Sequence, residues 1–219
     1  MLFTQLSGHV NRLSKQALML VAFAAFTFTA LPAYSASKTI LVLGDSLSAE
    51  YGLVRGKGWV ALLEQRLQQK NIPATVINAS ISGDTTSGGK ARLGNLLEKH
   101  HPDIVIIELG GNDALRGLSL KASEDNFKAM IDMSKAQHSK ILLAGMRIPP
   151  NYGPDYSERF FSIYEKLAKA NKTALVPFLL EGIVEKDKLF QADRIHPIAE
   201  AHPTILNNVW PHLLPLLSK

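Results

Sequence analysis

Two short stretches of the sequence hold residues that could carry out nucleophilic acyl transfer. Ser46 lies in "GDSLS", and Asp193 and His196 lie three residues apart in "QADRIHP". A serine nucleophile needs a base to take its proton and a carboxylate to hold the imidazole in the correct tautomer, and His196 and Asp193 suit these roles. Serine also caps helices, because its hydroxyl satisfies free backbone N–H groups. The stretch around Ser46 alone therefore leaves a nucleophile and a cap as alternatives.

Two further polar stretches offer hydrogen-bond donors for the oxyanion that forms during acyl transfer. "SISGDTTSGG" contains Gly83, and "GGND" contains Asn112. An oxyanion needs rigid donors, and the backbone N–H groups of Ser46 and Gly83 and the side-chain amide of Asn112 suit that role. Gly83 has no Cβ, so a substrate oxygen can approach its backbone closely. Together, the four stretches predict a complete acyl-transfer site.

Apolar runs alternate with segments of helical periodicity from residue 38 onwards, a pattern typical of a parallel sheet with crossover helices. It predicts an α/β fold, a three-layer α/β/α sandwich around a flavodoxin-like sheet of five parallel strands in the order 2-1-3-4-5. The predicted strands are Thr39–Leu43, Ala74–Asn78, Ile104–Leu109, Lys140–Ala144 and Ala174–Pro177. The predicted helices are Trp59–Gln69, Gly89–His100, Lys121–Gln137, Asp155–Asn171 and Pro203–Leu216.

The strand within "DIVIIELG" is apolar on successive residues, which indicates a central strand that is covered on both faces. In the order 2-1-3 the first three strands are neighbours, and ligands of such sheets bind beyond the carboxyl ends of the strands. Ser46, Gly83 and Asn112 follow strands one, two and three. We therefore expect these three residues to meet at one edge of the sheet.

Other residues compete for the catalytic roles. Ser48 is interpreted as a cap for the following turn, and Asp45 and Asp113 are expected to hydrogen-bond the backbone near them. Among the other histidines, His202 is the main alternative base, but it lacks a carboxylate three residues before it. No metal site is predicted, because no pair of histidines has ligand spacing with an acid on the same face and the chain has no cysteine.

The stretches "GDSLS", "SISGDTTSGG", "GGND" and "DRIHP", in this order and at these intervals, resemble the four blocks of the SGNH (GDSL) hydrolase superfamily. Within it, "NASISGDTTSGGKARL", "ELGGNDALRG" and "RIPPNYG" are similar to the branch of periplasmic acyl thioesterases, lysophospholipases and arylesterases. The resemblance implies Ser46 as nucleophile, His196 as base and Asp193 as the carboxylate that orients the base. It also implies that Gly83 and Asn112 complete the oxyanion hole with Ser46.

The same resemblance implies hydrolysis of small-molecule acyl esters, thioesters and lysophospholipids through an acyl-enzyme on Ser46, with no cofactor. Three positions depart from the family pattern: Glu50 and Arg194 stand where glycine is frequent, and Ile198 stands where asparagine is frequent. These departures concern substrate preference and loop shape. Two other functions stay open, a carbohydrate O-deacetylase of the same fold and a non-enzymatic flavodoxin-like binding module.

Two loops are candidates for contact with an acyl chain. The loop that contains "RIPPNYG" follows strand four, and Ile148, Tyr152 and Tyr156 offer apolar surface there, unless the loop is a simple crossover. The stretch "TTSGG", from Thr85 to Gly89, has the small residues of a mobile lid, which by the family resemblance would close over the substrate. Thr85, Ile148 and Tyr152 are therefore the predicted substrate contacts.

Residues 1–35 have the three parts of a secretory signal. Arg12 and Lys15 form a basic front, Ala17–Leu31 is an apolar run, and "PAYSA" supplies small residues for cleavage after Ser35. The apolar run is short for a membrane span, which needs about 20 apolar residues. We therefore expect export across the inner membrane to the periplasm, no stable membrane anchor after cleavage, and a single domain over residues 36–219.

Composition limits the partners of the chain. Residues 36–219 carry 22 basic and 19 acidic residues, and no basic run is interleaved with aromatic residues. This distribution argues against nucleic acid as a partner. Because the chain has no cysteine, its stability must come from the core rather than from disulfides. A monomer that acts on small molecules is the expectation.

Overall fold

The sheet is built from the apolar runs that alternate with helices along the sequence. The computed structural model describes residues 37–218, so the predicted export signal lies outside the described residues. The strands are β1 (Lys38–Gly44), β2 (Ala74–Asn78), β3 (Ile104–Glu108), β4 (Lys140–Ala144) and β5 (Ala174–Val176). The helices are α1 (Trp59–Gln69), α2 (Thr86–His100), α3 (Gly111–Leu115), α4 (Leu120–Ala136), α5 (Pro154–Asn171) and α6 (His202–Leu217). Short 3₁₀ turns cover Pro150–Tyr152, Asp187–Leu189 and Ala199–Ala201.

The strand order is β2-β1-β3-β4-β5 and every pairing is parallel, which confirms the predicted topology. In this register Val42 of β1 pairs with Asn78 of β2, and Gly44 of β1 pairs with Glu108 of β3. The carboxyl ends of the three strands therefore lie at one edge of the sheet. The loops that follow all three strands begin at this edge.

Helices cover both faces of the sheet. All five residues of β3 are buried, and β1 is buried from Ile40 to Gly44. Because successive side chains of a strand point to opposite faces, this burial needs a layer on each side. α1 packs against α6, and α4 packs against both α2 and α5, which gives the predicted three-layer sandwich. Within residues 37–218, every helix is too short or too polar to cross a membrane.

α2 begins three residues earlier than the sequence predicts. The Thr85 hydroxyl accepts a hydrogen bond from Gly88 N–H and caps the helix. Thr86 is buried, and both its N–H and its hydroxyl donate to the Asp113 carboxylate. The stretch from Thr85 to Gly89, which the sequence suggests as a lid, is therefore a capped helix start. The capping Thr85 is a local signal, but the bonds from the neighbouring Thr86 to Asp113 are long-range contacts that no local pattern reveals.

α3 is a short helix that the sequence does not predict, because five residues are too few for helical periodicity to show. It follows Gly110, whose φ is +100°. A Cβ at Gly110 would also lie 2.6 Å from the Tyr164 hydroxyl, so both the backbone conformation and the close approach favour glycine there. The helix places Asn112 and Asp113 in its first turn, directly beyond the end of β3.

Candidate active site

The Ser46 hydroxyl, the His196 imidazole and the Asp193 carboxylate form a continuous chain of hydrogen bonds. Ser46 Oγ lies 2.8 Å from His196 Nε2, and His196 Nδ1 lies 2.7 Å from Asp193 Oδ2. An ionised carboxylate can only accept, so Nδ1 carries the ring proton and donates it to Asp193. Nε2 is then left with a lone pair that accepts from the Ser46 hydroxyl. The structure thus brings together the three residues that the sequence proposes as nucleophile, base and orienting carboxylate.

The Asp193 carboxylate is held in place by the turn that leads to His196. Its Oδ1 accepts from the backbone N–H groups of Ile195, at 2.9 Å, and His196, at 3.0 Å. Burial opposes ionisation, but these bonds and the bond from the imidazole outweigh it and lower the pKa of Asp193 to about 2. Asp193 is therefore ionised at neutral pH.

The loop that carries His196 is anchored by contacts at its base. Gln191 N–H donates to the His196 carbonyl at 2.7 Å, and Phe190 and Pro197 form an antiparallel bridge. The Gln191 side chain donates to the Tyr51 carbonyl at 2.9 Å. The Tyr51 ring lies 4.3 Å from the imidazole of His196, centroid to centroid. The turn after β1 and the histidine loop therefore hold each other in position.

The predicted oxyanion donors differ in their partners. The backbone N–H groups of Ser46 and Gly83 form no hydrogen bond with any group between residues 37 and 218. The Asn112 side-chain amide, in contrast, donates to Asp45 Oδ2 and to the Asp84 carbonyl, each at 3.0 Å. Because an amide group has two hydrogens, Asn112 can reach an oxyanion only by sharing or releasing one of these bonds.

The loop that contains Gly83 is held by two arginines that the sequence does not mark as functional. Arg116 Nη2 donates to the Gly83 carbonyl at 3.0 Å, and Gly83 itself has a φ of +79°. Arg92 forms an ion pair with Asp84 at 2.8 Å and donates to the Ala79 carbonyl. Two of the acceptors are backbone carbonyls, which leave no mark in the sequence, so only the fold could reveal these contacts.

A cavity of about 760 Å³ opens beside Ser46 and His196. Apolar side chains dominate its lining, among them Leu47, Leu115, Met146, Ile148, Phe178 and Leu180. Arg147, Glu158, Asp187 and Arg194 add charge to the lining. A concave, mostly apolar site with a few polar groups at one place is the usual form of a small-molecule pocket.

Of the three predicted substrate contacts, the structure brings only Ile148 into the cavity lining. Thr85 lies outside the lining because its side chain caps α2. Tyr152 lies in the first of the 3₁₀ turns, outside the lining, with 42% of its surface exposed. The Tyr156 hydroxyl instead shares its one hydrogen between the Ala114 and Leu118 carbonyls, so that side chain links α5 to α3 and to the segment that follows it.

Ser48 and His202, the alternatives to Ser46 and His196, are both bound to other parts of the structure. Ser48 does not act as a cap, because it is buried and its hydroxyl binds other side chains. The hydroxyl donates to Glu108 at 2.7 Å and accepts from the Trp59 indole N–H at 3.1 Å. His202 is buried as well, and its Nδ1 accepts from the Trp59 backbone N–H at 3.0 Å, which anchors the start of α1. Burial lowers the pKa of His202, so this imidazole favours its neutral form.

Within residues 37–218, no group of three His, Asp or Glu side chains is arranged to hold a metal ion.

Asp45 and Asp113 bind side chains that are distant in the sequence, and not only the backbone near them as expected. Asp45 Oδ1 accepts from Leu47 N–H as predicted, but its other oxygen accepts from Asn112. The Asp113 carboxylate ties α3 to two other helices through Thr86 and Ser123. These acids therefore position the residues around the site.

Two of the departures from the family pattern have a backbone explanation. Glu50 and Arg194 both have a φ of +59°, in the left-handed region where glycine is the least strained residue. The Glu50 carboxylate offsets that strain by accepting from Gly56 N–H and from Gly58 N–H, the latter at 2.7 Å. Both departures therefore keep the turn shape that glycine would give.

Comparisons with known proteins identify the family of the chain. The profile of the GDSL-like Lipase/Acylhydrolase family matches residues 42–203. The chain is 50% identical over 183 residues to the Esterase TesA of Pseudomonas aeruginosa, which covers 84% of this chain and 91% of that relative. It is 43% identical over 184 residues to the Thioesterase 1/protease 1/lysophospholipase L1 of Escherichia coli, which covers 84% of this chain and 87% of that relative.

A solved structure supports the same assignment. The psychrotrophic esterase EstA from Pseudoalteromonas sp., in a form inhibited by monoethylphosphonate, matches with a TM-score of 0.79 at 39% identity. The match covers 84% of this chain and all of the esterase chain. The resemblance inferred from the four sequence stretches is thus confirmed, and the chain belongs to the GDSL-like Lipase/Acylhydrolase family of SGNH hydrolases.

Proposed function

We propose that the protein hydrolyses acyl esters and thioesters with Ser46 as nucleophile. This proposal is based on the chain of hydrogen bonds from Ser46 through His196 to Asp193, which lies beside an apolar cavity. Ser46 Oγ attacks the acyl carbonyl carbon while His196 Nε2 takes the hydroxyl proton. The developing oxyanion receives hydrogen bonds from the N–H groups of Ser46 and Gly83, and from Asn112 when it releases one of its partners.

Collapse of the tetrahedral intermediate breaks the bond to the leaving group. The leaving alcohol or thiol takes the proton from His196, and Ser46 keeps the acyl group as an ester. A water molecule then gives a proton to His196 and attacks the acyl carbon through the same steps. The carboxylic acid leaves and the Ser46 hydroxyl is restored, so the cycle needs no cofactor.

The cavity supports a lipid-type acyl substrate. Its apolar lining can bury an acyl chain, and its volume is in the usual range for a small-molecule site. Names of relatives such as esterase and thioesterase 1/lysophospholipase L1 point to the same substrates, namely acyl esters, thioesters and lysophospholipids. A carbohydrate O-deacetylase needs an acetyl-sized acyl pocket and polar groups for the sugar, so this mostly apolar lining favours the lipid-type substrate. A non-enzymatic binding module would not explain why Ser46, His196 and Asp193 are joined by hydrogen bonds.

We expect hydrolysis of p-nitrophenyl esters to peak at medium or long acyl chains and to vanish in Ser46→Ala. The alanine removes the only atom that can form the acyl-enzyme at this position. A series from acetyl to palmitoyl, followed by absorbance, measures both effects, with the exposed Ser162→Ala as a matched control. Activity confined to acetyl would favour the O-deacetylase, and equal rates in Ser46→Ala would remove Ser46 from the mechanism.

Asp193→Asn tests the orienting carboxylate. Oδ1 accepts from two backbone N–H groups, so the asparagine oxygen must stay there and its NH₂ group must face His196 Nδ1. That forces the ring proton onto Nε2, which can then no longer accept from Ser46. We expect kcat to fall by about 10⁴, as for the same exchange in serine proteases. Stopped-assay kinetics measure kcat, and a loss below tenfold would show that Asp193 does not set the tautomer.

Asn112→Ala tests the third oxyanion donor. We expect kcat to fall by about 10²–10³ with little change in KM, because the bond forms only in the transition state. The exposed Asn95→Ala is the control for loss of an asparagine elsewhere. Wild-type kcat in Asn112→Ala would mean that its amide stays bound to Asp45 and Asp84 throughout the reaction.

We propose that the protein is exported to the periplasm and cleaved after Ser35, which the pattern of residues 1–35 supports. N-terminal sequencing of protein recovered from the periplasmic fraction of an expressing Gram-negative host should then begin at Ala36. Full-length protein that stays with the membrane fraction would contradict both the cleavage and the lack of an anchor.

A further inference from the structure

Glu108 is a buried carboxyl group beneath the candidate active site, and the proposed reaction gives it no role. It is the last residue of β3 and has no exposed surface. Its Oε2 accepts from the Ser48 hydroxyl at 2.7 Å and from the Asp45 N–H at 3.3 Å. Its Oε1 is buried and receives no hydrogen bond. A buried polar atom without a partner is rare enough in folded proteins to require a cause.

Asp45 is a second buried carboxyl group beside Glu108. Its two oxygens accept from the Leu47 N–H and the Asn112 amide. Neither Asp45 nor Glu108 forms an ion pair with a residue between 37 and 218, so no cation offsets a pair of negative charges here. Two adjacent carboxylates in a site of low polarity repel each other, and one of them holds a proton instead.

A proton on Glu108 accounts for both observations. It turns a carboxyl group that has an unpartnered oxygen into a donor, and the Asp45 carboxyl group lies within side-chain hydrogen-bond reach of Glu108. Burial, and then the charge of Asp45, raise the pKa of Glu108 well above its usual range. Burial also raises the pKa of Asp45, but the bonds from Leu47 and Asn112 limit the rise to about 6. Of the two groups, Glu108 therefore holds a proton more tightly.

The contacts of Glu108 fix the backbone on both sides of Ser46. The N–H of Asp45, one residue before, and the hydroxyl of Ser48, two residues after, both donate to the same carboxyl oxygen. The Trp59 indole holds Ser48 from the other side at 3.1 Å. The strand end is therefore clamped where it presents the Ser46 hydroxyl and its N–H group.

We propose that Glu108 is a protonated positioning residue, whose carboxyl group donates to Asp45 and holds the turn that carries Ser46. Through the Asp45 carboxylate it also sets the direction of the Asn112 amide, which Asp45 accepts from. This inference rests on the proposed function, since it assigns Glu108 a part in orienting the nucleophile and an oxyanion donor. Glu108 itself touches no reacting atom.

A neutral isostere separates this role from a requirement for negative charge. In Glu108→Gln the amide oxygen can accept from Ser48 and Asp45 N–H, and the NH₂ group can donate to the Asp45 carboxylate, as the protonated acid does. We expect this variant to keep kcat within about threefold of wild type, because the same bonds form. In Glu108→Ala these bonds are lost, and we expect kcat to fall by about 10²-fold with KM changed less than twofold, since a misplaced nucleophile affects the chemical step.

Ser139→Ala is a matched control for loss of a buried hydrogen bond. Ser139 is buried and donates to the Pro102 carbonyl near the opposite end of the sheet, so its loss should lower the melting temperature without changing kcat. A fall in kcat for Glu108→Ala beyond that of Ser139→Ala supports the positioning role. Equal kcat values for Glu108→Ala and wild type overturn it while leaving the proposed function intact. An equal loss in Glu108→Gln and Glu108→Ala overturns the protonated state.

An infrared difference spectrum tests the proton without any need for activity. At pH 7 the spectrum of wild type minus Glu108→Gln should contain the C=O stretching band of a buried protonated carboxylic acid. The band should persist in Ser46→Ala, which lacks the nucleophile but keeps the pair. Absence of the band in the wild type overturns the proposal. Absence of ester hydrolysis by the wild type, with the band present, overturns the proposed function but not the protonated pair.

Discussion

The parallel pairing of β1 with β3 is the constraint on which the candidate site depends. This register sets Gly44 opposite Glu108, so the turn that carries Ser46 and the turn that carries Asn112 leave the sheet side by side. Each turn alone is a short polar loop of ordinary composition. Their contacts, from Asn112 to Asp45 and from Ser48 to Glu108, exist only because the two strands end together. The candidate site therefore forms only where the carboxyl ends of β1 and β3 lie side by side.

The histidine loop comes from a distant part of the chain and needs its own support. Gln191 ties its base to the turn after β1, and His202, just beyond it, accepts from Trp59 at the start of α1. The loop is therefore linked to the same β1–α1 connection that carries the serine. A small shift of either part would lengthen the 2.8 Å contact between Ser46 and His196. Positioning at this scale affects the rate of acyl transfer strongly.

The strands and the polar stretches could be predicted from local patterns, and the sheet order from the alternation of strands and helices along the chain. Continuous apolar runs mark buried parallel strands, and each strand end must be followed by a loop at the same edge. The roles of Ser48 and Thr86 could not be predicted, because a hydroxyl has the same local signature whether it caps a turn or reaches a distant acid. Glu108 left a readable signal, a single acid in an apolar strand, but its partners depend on tertiary contacts. The lining of the cavity likewise depends on how distant loops pack.

We propose Ser46 as the nucleophile, activated by His196 and Asp193. The most direct test is to incubate the purified protein with a fluorophosphonate ester and to find the modified residue by mass spectrometry of its peptides. We expect a single adduct on Ser46, formed rapidly in the wild type and slowly in Asp193→Asn. An adduct on another serine, or no adduct under conditions in which the protein hydrolyses esters, would contradict it.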